Sequence, residues 1–438
     1  MTLLQLEAPA RSSGWPRRTG LLPVSPVSVG LHDERPVGGS HPSQDLRAHV
    51  AAWGARPTDS GADAEPLLES MAEVALSGRG GAHFPVAVKW RAVLEAGGGG
   101  TVVANAAEGE PASAKDGVLL RSRPHLVLDG LAIAAEALGA TDVVVWLHGG
   151  ASDSQRVLSR ALAERRAARL PELPMRIVRA PDSYLSGEGN AVVRALSGGP
   201  ALPGFALLPA ATVGVNGRPT LVQNAETLAR IAVLSRTGAE DYASSALLTV
   251  VGGGRRTVLE QPTTSTVAAS VAAAGNLLST DPQAVLLGGY GGAWLPWSEA
   301  ADLPVDEPTL RAAGASIGAG VVAPLPARAC GLVETASVFG FLAASSARQC
   351  GPCLFGLRSI SAVLDDLARG QARRDDVARI QRHAAAVSGR GACRHPDGAI
   401  RLMASALRTF AADVEAHAAG SPCPESRQAP ALPVPEVG

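Results

Sequence analysis

Cys350 and Cys353 stand three apart in QCGPC, in a chain of 438 residues that holds only five cysteines. Two thiols at CxxC spacing are half of something: a redox dithiol, half of a zinc site, or half of an iron–sulfur site. Cys393, in GRGAC, is the candidate for the other half. A second chemical stretch is SGRGGAHFP (77–85), followed by VAVKW. Its glycines Gly78, Gly80 and Gly81 let backbone amides approach a phosphate or a flat ring. Arg79 and Lys89 supply positive charge beside them. The third is NAAEGEP (105–111), with Glu108 and Glu110, and the fourth is SGEGN (186–190), with Glu188. A carboxylate at a helix start is ordinarily a partner for the helix dipole. Taken singly, each stretch has a plain structural reading; their order along one chain is what carries chemistry.

Those residues need elements to hold them. Residues 1–65 read as a mostly irregular leader, rich in Pro, Gly, Ser and Arg, with one helix near SQDLRAHVAAWG. Within 66–243, TVVAN, TDVVVWLHGG and MRIVRA are short apolar runs that read as strands. PHLVLDGLAIAAEALG and SDSQRVLSRALAERRAARL between them have helical spacing. Alternation of this kind predicts a parallel sheet covered by helices. Ligands of such sheets bind beyond the carboxyl ends of the strands, which here end in NAAEGEP, HGG and APDSYLSGEGN. Residues 244–325 change character: ALLTVVGGG, STVAASVAAAG and QAVLLGGYGGAWLP predict a separate, smaller α+β unit. From 326 to 417 the chain reads as four helices (331–347, 354–369, 375–388, 398–417), a bundle. Its joints carry Cys350, Cys353 and Cys393. The Pro-rich tail, 418–438, reads as disordered.

Composition limits the functions open to this chain. The 39 basic and 40 acidic residues nearly cancel, with no basic stripe for nucleic acid. No apolar run is long enough for a membrane helix. Arg17 and Arg18 form a twin arginine, but the prolines after them break any signal-like apolar stretch. Five cysteines in this length are no disulfide framework, and the expected location is a reducing cytoplasm.

Taken in order, the motifs resemble one family, the F subunits of NADH-quinone oxidoreductase, which are the flavoprotein subunits of respiratory complex I. GRGGAHFPVAVKW resembles that family's GRGGAGFPTGLKW, and NAAEGEPASAKD resembles NADExEPGxFKD. YLSGEGNAVVRALSGG resembles YICGEETALxxSLEG, GRPTLVQNAETLA resembles GxPTxxNNVETLA, and QCGPC resembles CGxCxPCREG. The resemblance spans roughly residues 65–415. It implies an α/β flavin-binding domain with a parallel sheet, a β-grasp domain of the soluble-ligand-binding type, and a C-terminal four-helix bundle. It implies FMN on Gly78, Arg79, Gly80, Gly81, Phe84, Lys89, Asn105, Glu108, Glu110, Gly187, Glu188, Asn224 and Thr227. It also implies NAD(H) as electron donor, a [4Fe–4S] cluster on Cys350, Cys353 and Cys393, and a ferredoxin-like or other electron-transfer subunit as partner, with attachment to a membrane complex left open.

Several positions depart from that pattern. The family's first cluster cysteine falls at Ala347, so a fourth ligand must come from elsewhere: His395, two residues after Cys393, or Cys330, water or a partner residue. Cys330 otherwise reads as a plain buried thiol, and Cys423 in the tail is the weakest candidate. Ala107, Gly189 and Gln223 replace polar residues of the family, His83 adds a ring where the flavin would lie, and Ala92 replaces an aromatic. Each loss removes stacking surface or a polar contact. Two other readings follow: an electron-relay or assembly subunit that keeps the cluster without oxidising NADH, and a ligand-binding scaffold whose cysteines hold zinc or nothing.

Overall fold

The computed structural model describes residues 20–435 apart from 23–25, 34–35, 38–42, 58–63 and 276–281. The twin arginine lies outside the described residues. The leader is less irregular than its composition suggests. Strand β1 (Val27–Gly30) pairs antiparallel with a strand far downstream, Val27 facing Val258. Helix α1 (Leu46–Trp53) starts on Asp45, whose carboxylate accepts from Ala48 N. It buries His49 against Asp129, 2.9 Å apart, and Asp129 also pairs with Arg165 and Arg236. A buried charge network therefore fastens the leader to the body.

The body begins with helices α2 (Glu65–Glu73) and α3 (Val86–Glu95). Strand β2 (Thr101–Ala106), helices α4 (Lys115–Ser122) and α5 (Pro124–Ala137), strand β3 (Asp142–Leu147), helix α6 (Ser152–Ala167) and strand β4 (Met175–Arg179) follow. Helix α7 (Gly189–Leu196), strand β5 (Thr220–Asn224) and helix α8 (Ala225–Thr237) complete the unit. All pairs in this sheet are parallel, in the order β4-β3-β2-β5. β-branched residues dominate β2 and β3, which are buried on both faces as parallel sheets require, while the edge strand β4 is only partly covered. Helices α5 and α8 pack on one face. A Cβ at Gly130 would sit 1.9 Å from the Leu228 carbonyl oxygen, so only glycine permits that approach. Val103, Val144, Trp146, Val192 and Val222 form a smaller apolar cluster.

A mixed sheet follows: β6 (Ser245–Gly252), β7 (Arg255–Pro262), β8 (Pro282–Leu287), β9 (Ala293–Pro296) and β10 (Val321–Pro326). Helices α9 (Val267–Ala273), α10 (Trp297–Ala300) and α11 (Glu307–Ala312) connect its strands. The order is β1-β7-β6-β10-β8-β9, with only β6 and β10 parallel. The sheet thus takes its edge strand from the leader.

Helices α12 (Gly331–Ala344), α13 (Arg358–Ala368), α14 (Asp376–Val387), α15 (His395–Thr409) and α16 (Ala411–Ala418) make up the C-terminal part. A single turn of π-helix (Pro352–Leu357) precedes α13, and such turns collect at functional sites. The expected disorder of the tail is corrected over 419–435. Pro424–Arg427 forms a short 3₁₀ turn, Ala431 N and Leu432 N donate to the buried Glu334 carboxylate, and Tyr290 donates its hydroxyl to the Pro433 carbonyl. Residues 436–438 lie outside the described residues. Among the described residues no helix is long and apolar enough to cross a membrane.

Candidate functional site

The sulfur site sits where α12 ends. Arg348 has a left-handed φ of 53°, which turns the chain so that its amide faces the Cys353 sulfur. Cys350, and Cys393 in the turn before α15, lie close enough for their charges to act on the same sulfur. Burial, with Cys350 and Cys393 beside it, pushes the Cys353 thiol up to about 12. Burial raises Cys393 too, helped by Glu188 and Cys350. Two thiols that resist ionisation, with Cys350 beside them, lose their protons readily only to a cation, so the donor set fits iron. Ala347, where the resemblance puts the family's first cluster cysteine, is buried and offers no donor. His395, the expected replacement, has its Nε2 2.8 Å from the Leu342 carbonyl oxygen, and its ring meets Tyr184 edge-on at 5.6 Å. As the first residue of α15 it is aimed back onto α12, so that nitrogen is committed to packing.

The glycine loop joins α2 to α3. Gly78 N donates to the Phe84 carbonyl (2.9 Å), and Arg79 N donates to Thr227 Oγ1 (2.8 Å), so Gly78, Arg79 and Thr227 meet here. A Cβ at Gly81, whose φ is +96°, would meet nothing within 4 Å, and one at Gly80 would touch only Asn224 Cβ at 3.5 Å. The face is therefore open. Lys89 is half-buried on α3 with its ammonium on the Val222 carbonyl. Burial lowers it to about 8, and among the described residues no carboxylate pairs with it. Gln223 Oε1 is buried without a partner, its amide beside Gly78. An unneutralised ammonium and an orphan polar atom beside open glycines fit an anionic, flat cofactor.

The Arg79 side chain turns inward to the Ser245 carbonyl (3.1 Å) and lies 4.0 Å from Glu226. It joins a buried charge cluster that motif reading missed: Lys115 is 2.8 Å from Asp116 and 3.1 Å from Glu226, and Glu226 is 2.7 Å from Arg230. The signal was present as the KD of ASAKD and the E of AETLA. His83 turns away from the glycine loop. Its ring is buried 3.6 Å from Glu307 and not spread over the glycine loop.

The remaining candidates hold one another. Asn105 Nδ2 donates to the Gly187 carbonyl (2.7 Å). Asn224 caps α8 through Glu226 N (2.9 Å) and donates to Asp116 (2.7 Å). Glu188 caps α7 by accepting from Asn190 N and Ala191 N, while burial raises its carboxyl. Glu108 accepts from Ser113 Oγ, Asp116 N and Gly117 N. Glu110 crosses between units. Tyr290 N (3.0 Å), Ala112 N (3.3 Å) and the Tyr184 hydroxyl (3.4 Å) donate to it, yet burial outweighs them and lifts it to about 7.

A cavity of about 1170 Å³ opens beyond the ends of β2 and β3. Of the candidate cofactor residues, only Glu108 and Glu110 line it; the glycine loop does not, and lies on another flank. Ala347 and Arg348 line it too, so the position where the resemblance expects a further cysteine borders this space. Phe84 is 52% exposed at the glycine loop, and Phe205 is 79% exposed in the 201–209 loop.

Comparison with known proteins agrees with this geometry. Residues 71–233 match the Nuo51 FMN-binding domain, and residues 334–417 match the NADH-ubiquinone oxidoreductase-F iron-sulfur binding region. The chain is 28% identical over 381 residues to the NADH-quinone oxidoreductase F 2 subunit of Rhizobium meliloti (strain 1021), covering 82% of this chain and 90% of that one. It is 27% identical over 400 residues to the NADH-quinone oxidoreductase F subunit of Escherichia coli (strain K12), covering 85% and 88%. Among solved structures it resembles a NAD+-reducing [NiFe]-hydrogenase in the H2-reduced state, with TM-score 0.72 and 28% identity. That match covers 83% of this chain and 64% of the hydrogenase chain.

Proposed function

The chain belongs, as a divergent member, to the family of NADH-quinone oxidoreductase F subunits, and on that premise we propose that it oxidises NAD(P)H through FMN and passes electrons to a [4Fe–4S] cluster. From there they go to a ferredoxin-like or other electron-transfer subunit. The observation that carries this reading is the unneutralised Lys89 ammonium beside the open glycines Gly80 and Gly81.

FMN, when bound, supplies the change from a hydride pair to single electrons. The chain's own residues do the rest. The glycine loop lends backbone amides, and Lys89 lends a positive charge whose desolvated state favours an anionic partner. Gly187 lets the 184–187 turn close on β2, where a Cβ would lie 2.4 Å from the Ala107 carbonyl oxygen. Asn105 and Glu188 fix that turn and the start of α7. Cys350, Cys353 and Cys393 would hold the iron, and with Ala347 offering no donor and His395 Nε2 engaged with Leu342, any further ligand would come from outside these side chains, such as water from the cavity.

In the same reading, 66–243 is the flavin domain, 244–325 a β-grasp domain and 326–417 a helical iron–sulfur domain of five helices rather than the expected four, the last expected helix being split at Phe410. The protein works in the reducing cytoplasm, where its thiols persist. A second reading, relay without NADH oxidation, is favoured by the glycine loop's single aromatic, the half-exposed Phe84. Protein purified without air decides between them. Flavin and iron with a visible spectrum bleached by NADH supports the first. Iron signals with no NADH turnover, even to artificial acceptors, supports the second, and a colourless, iron-free protein that takes up no flavin refutes both.

A further inference from the structure

The two cysteines that the iron site leaves over do not stand alone. Cys330 is at the start of α12, His417 is in the last turn of α16, and Cys423 is in the tail just before the 3₁₀ turn. His417 is fully buried. Its Nδ1 lies 3.1 Å from the Leu367 carbonyl oxygen, so Nδ1 carries the proton and Nε2 presents its lone pair. That Nε2 is 3.4 Å from Cys423 Sγ and 3.7 Å from Cys330 Sγ. All three ligand atoms lie within 4.8 Å of one another, and among the described residues no other trio of His, Cys, Asp or Glu brings ligand atoms so close. Tetrahedral zinc with bonds of about 2.3 Å to sulfur and about 2.0 Å to nitrogen requires sulfur–nitrogen edges of about 3.6 Å. The observed edges bracket that value.

We propose that Cys330, His417 and Cys423 bind one zinc-class divalent cation, separate from the iron–sulfur site, that clasps the C-terminal tail onto the helical part. Binding replaces two thiol protons with two sulfur–metal bonds and releases both protons to solvent. The Cys423 backbone N–H, now 3.2 Å from Nε2, gives up that contact to the metal. Water completes the fourth position. Two thiolates and an imidazole suit zinc, whereas oxygen-seeking magnesium or calcium would find no carboxylate here. The clasp lies at one end of the tail segment whose other end is held by Glu334 and Tyr290. It anchors the start of α12, the helix that leads to Ala347 and Cys350.

Zinc-edge X-ray absorption and metal analysis of the full chain test this, because they read zinc in the presence of iron. The expected result is one zinc per chain with two sulfur neighbours. Cys423→Ser and His417→Gln each weaken zinc by about a hundredfold, as losing one ligand should, while iron content stays unchanged. Cys350→Ser lowers iron and leaves zinc in place; should it destabilise the chain, zinc retention in the iron-replete parent against Cys423→Ser alone carries the comparison. Three results overturn the proposal: no zinc, zinc lost in Cys350→Ser but kept in Cys423→Ser, or a Cys330–Cys423 disulfide in the intact protein by mass spectrometry.

Discussion

Glu110→Gln isolates the cost of burying a carboxylate between two units. Glu110 is lifted from an ordinary 4.5 to about 7 by burial that the Tyr290, Ala112 and Tyr184 donors do not offset. Between those two values the folded protein holds more protons than the unfolded chain, so stability falls as pH rises through the window and levels off above about 8. The full shift corresponds to about 3 kcal/mol at pH 8.5, and the residue already costs just under about 1 kcal/mol at pH 5, so about 2.5 kcal/mol develops between them. Glutamine has nearly the same shape and never ionises. It can still accept from Tyr290 N, and its unfavourable approach to Ala112 N is a constant offset at every pH. Urea unfolding followed by tryptophan fluorescence at pH 5 and pH 8.5 should therefore show Glu110→Gln gaining about 2.5 kcal/mol on the parent between the two conditions. All other titrating groups are shared and cancel. A difference that stays constant within about 0.5 kcal/mol would refute the reasoning, because Glu110 would then ionise as if exposed.

Ala347→Cys should return a fourth sulfur to the iron site, where the cavity leaves room. The expectation is slower loss of cluster absorbance in air and a changed EPR signal, and an unchanged signal would mean the corner is already filled by another strong ligand. Lys89→Met should act in opposite directions on two measurements: the flavin-free protein gains thermal stability as a buried charge disappears, while FMN binding, read by flavin fluorescence, weakens by about tenfold or more. Loss of stability with unchanged FMN affinity would place the ammonium's role in packing alone. Gly187→Ala should drive a methyl into the Ala107 carbonyl and cost about 2 kcal/mol or more, seen as a lower melting temperature. A well-folded variant would show that the turn can move away from β2.

The parallel sheet was legible because β-branched runs such as VVVW alternate with amphipathic helices, and that pattern depends on local physics alone. The mixed sheet was half legible, since its edge strand, VSVG, comes from a segment of turn-forming composition and gains its strand partner only through long-range pairing. The tail misled for a related reason. Its prolines remove periodicity, but Ala431 and Leu432 need only their backbone amides to reach Glu334, and no side-chain pattern reports that. In the site, the motifs named residues without saying which way a side chain turns. His395 is near Cys393 in sequence yet turns its ring onto the Leu342 carbonyl of α12, and Arg79 faces Glu226 and Ser245 from within the core. Cys330 and Cys423, far apart in sequence, become neighbours only through α16.

The pairing of β1 with β7 bears on how the protein can be shortened. Cutting away residues 1–65 as a dispensable leader would strip the outermost ribbon from the six-stranded sheet. β7 would then present a row of unsatisfied amides and carbonyls to solvent, the ordinary template for strand addition by another molecule. A trimmed chain would therefore self-associate through that exposed border even with both cofactor sites intact, and its insolubility would say nothing about flavin or iron.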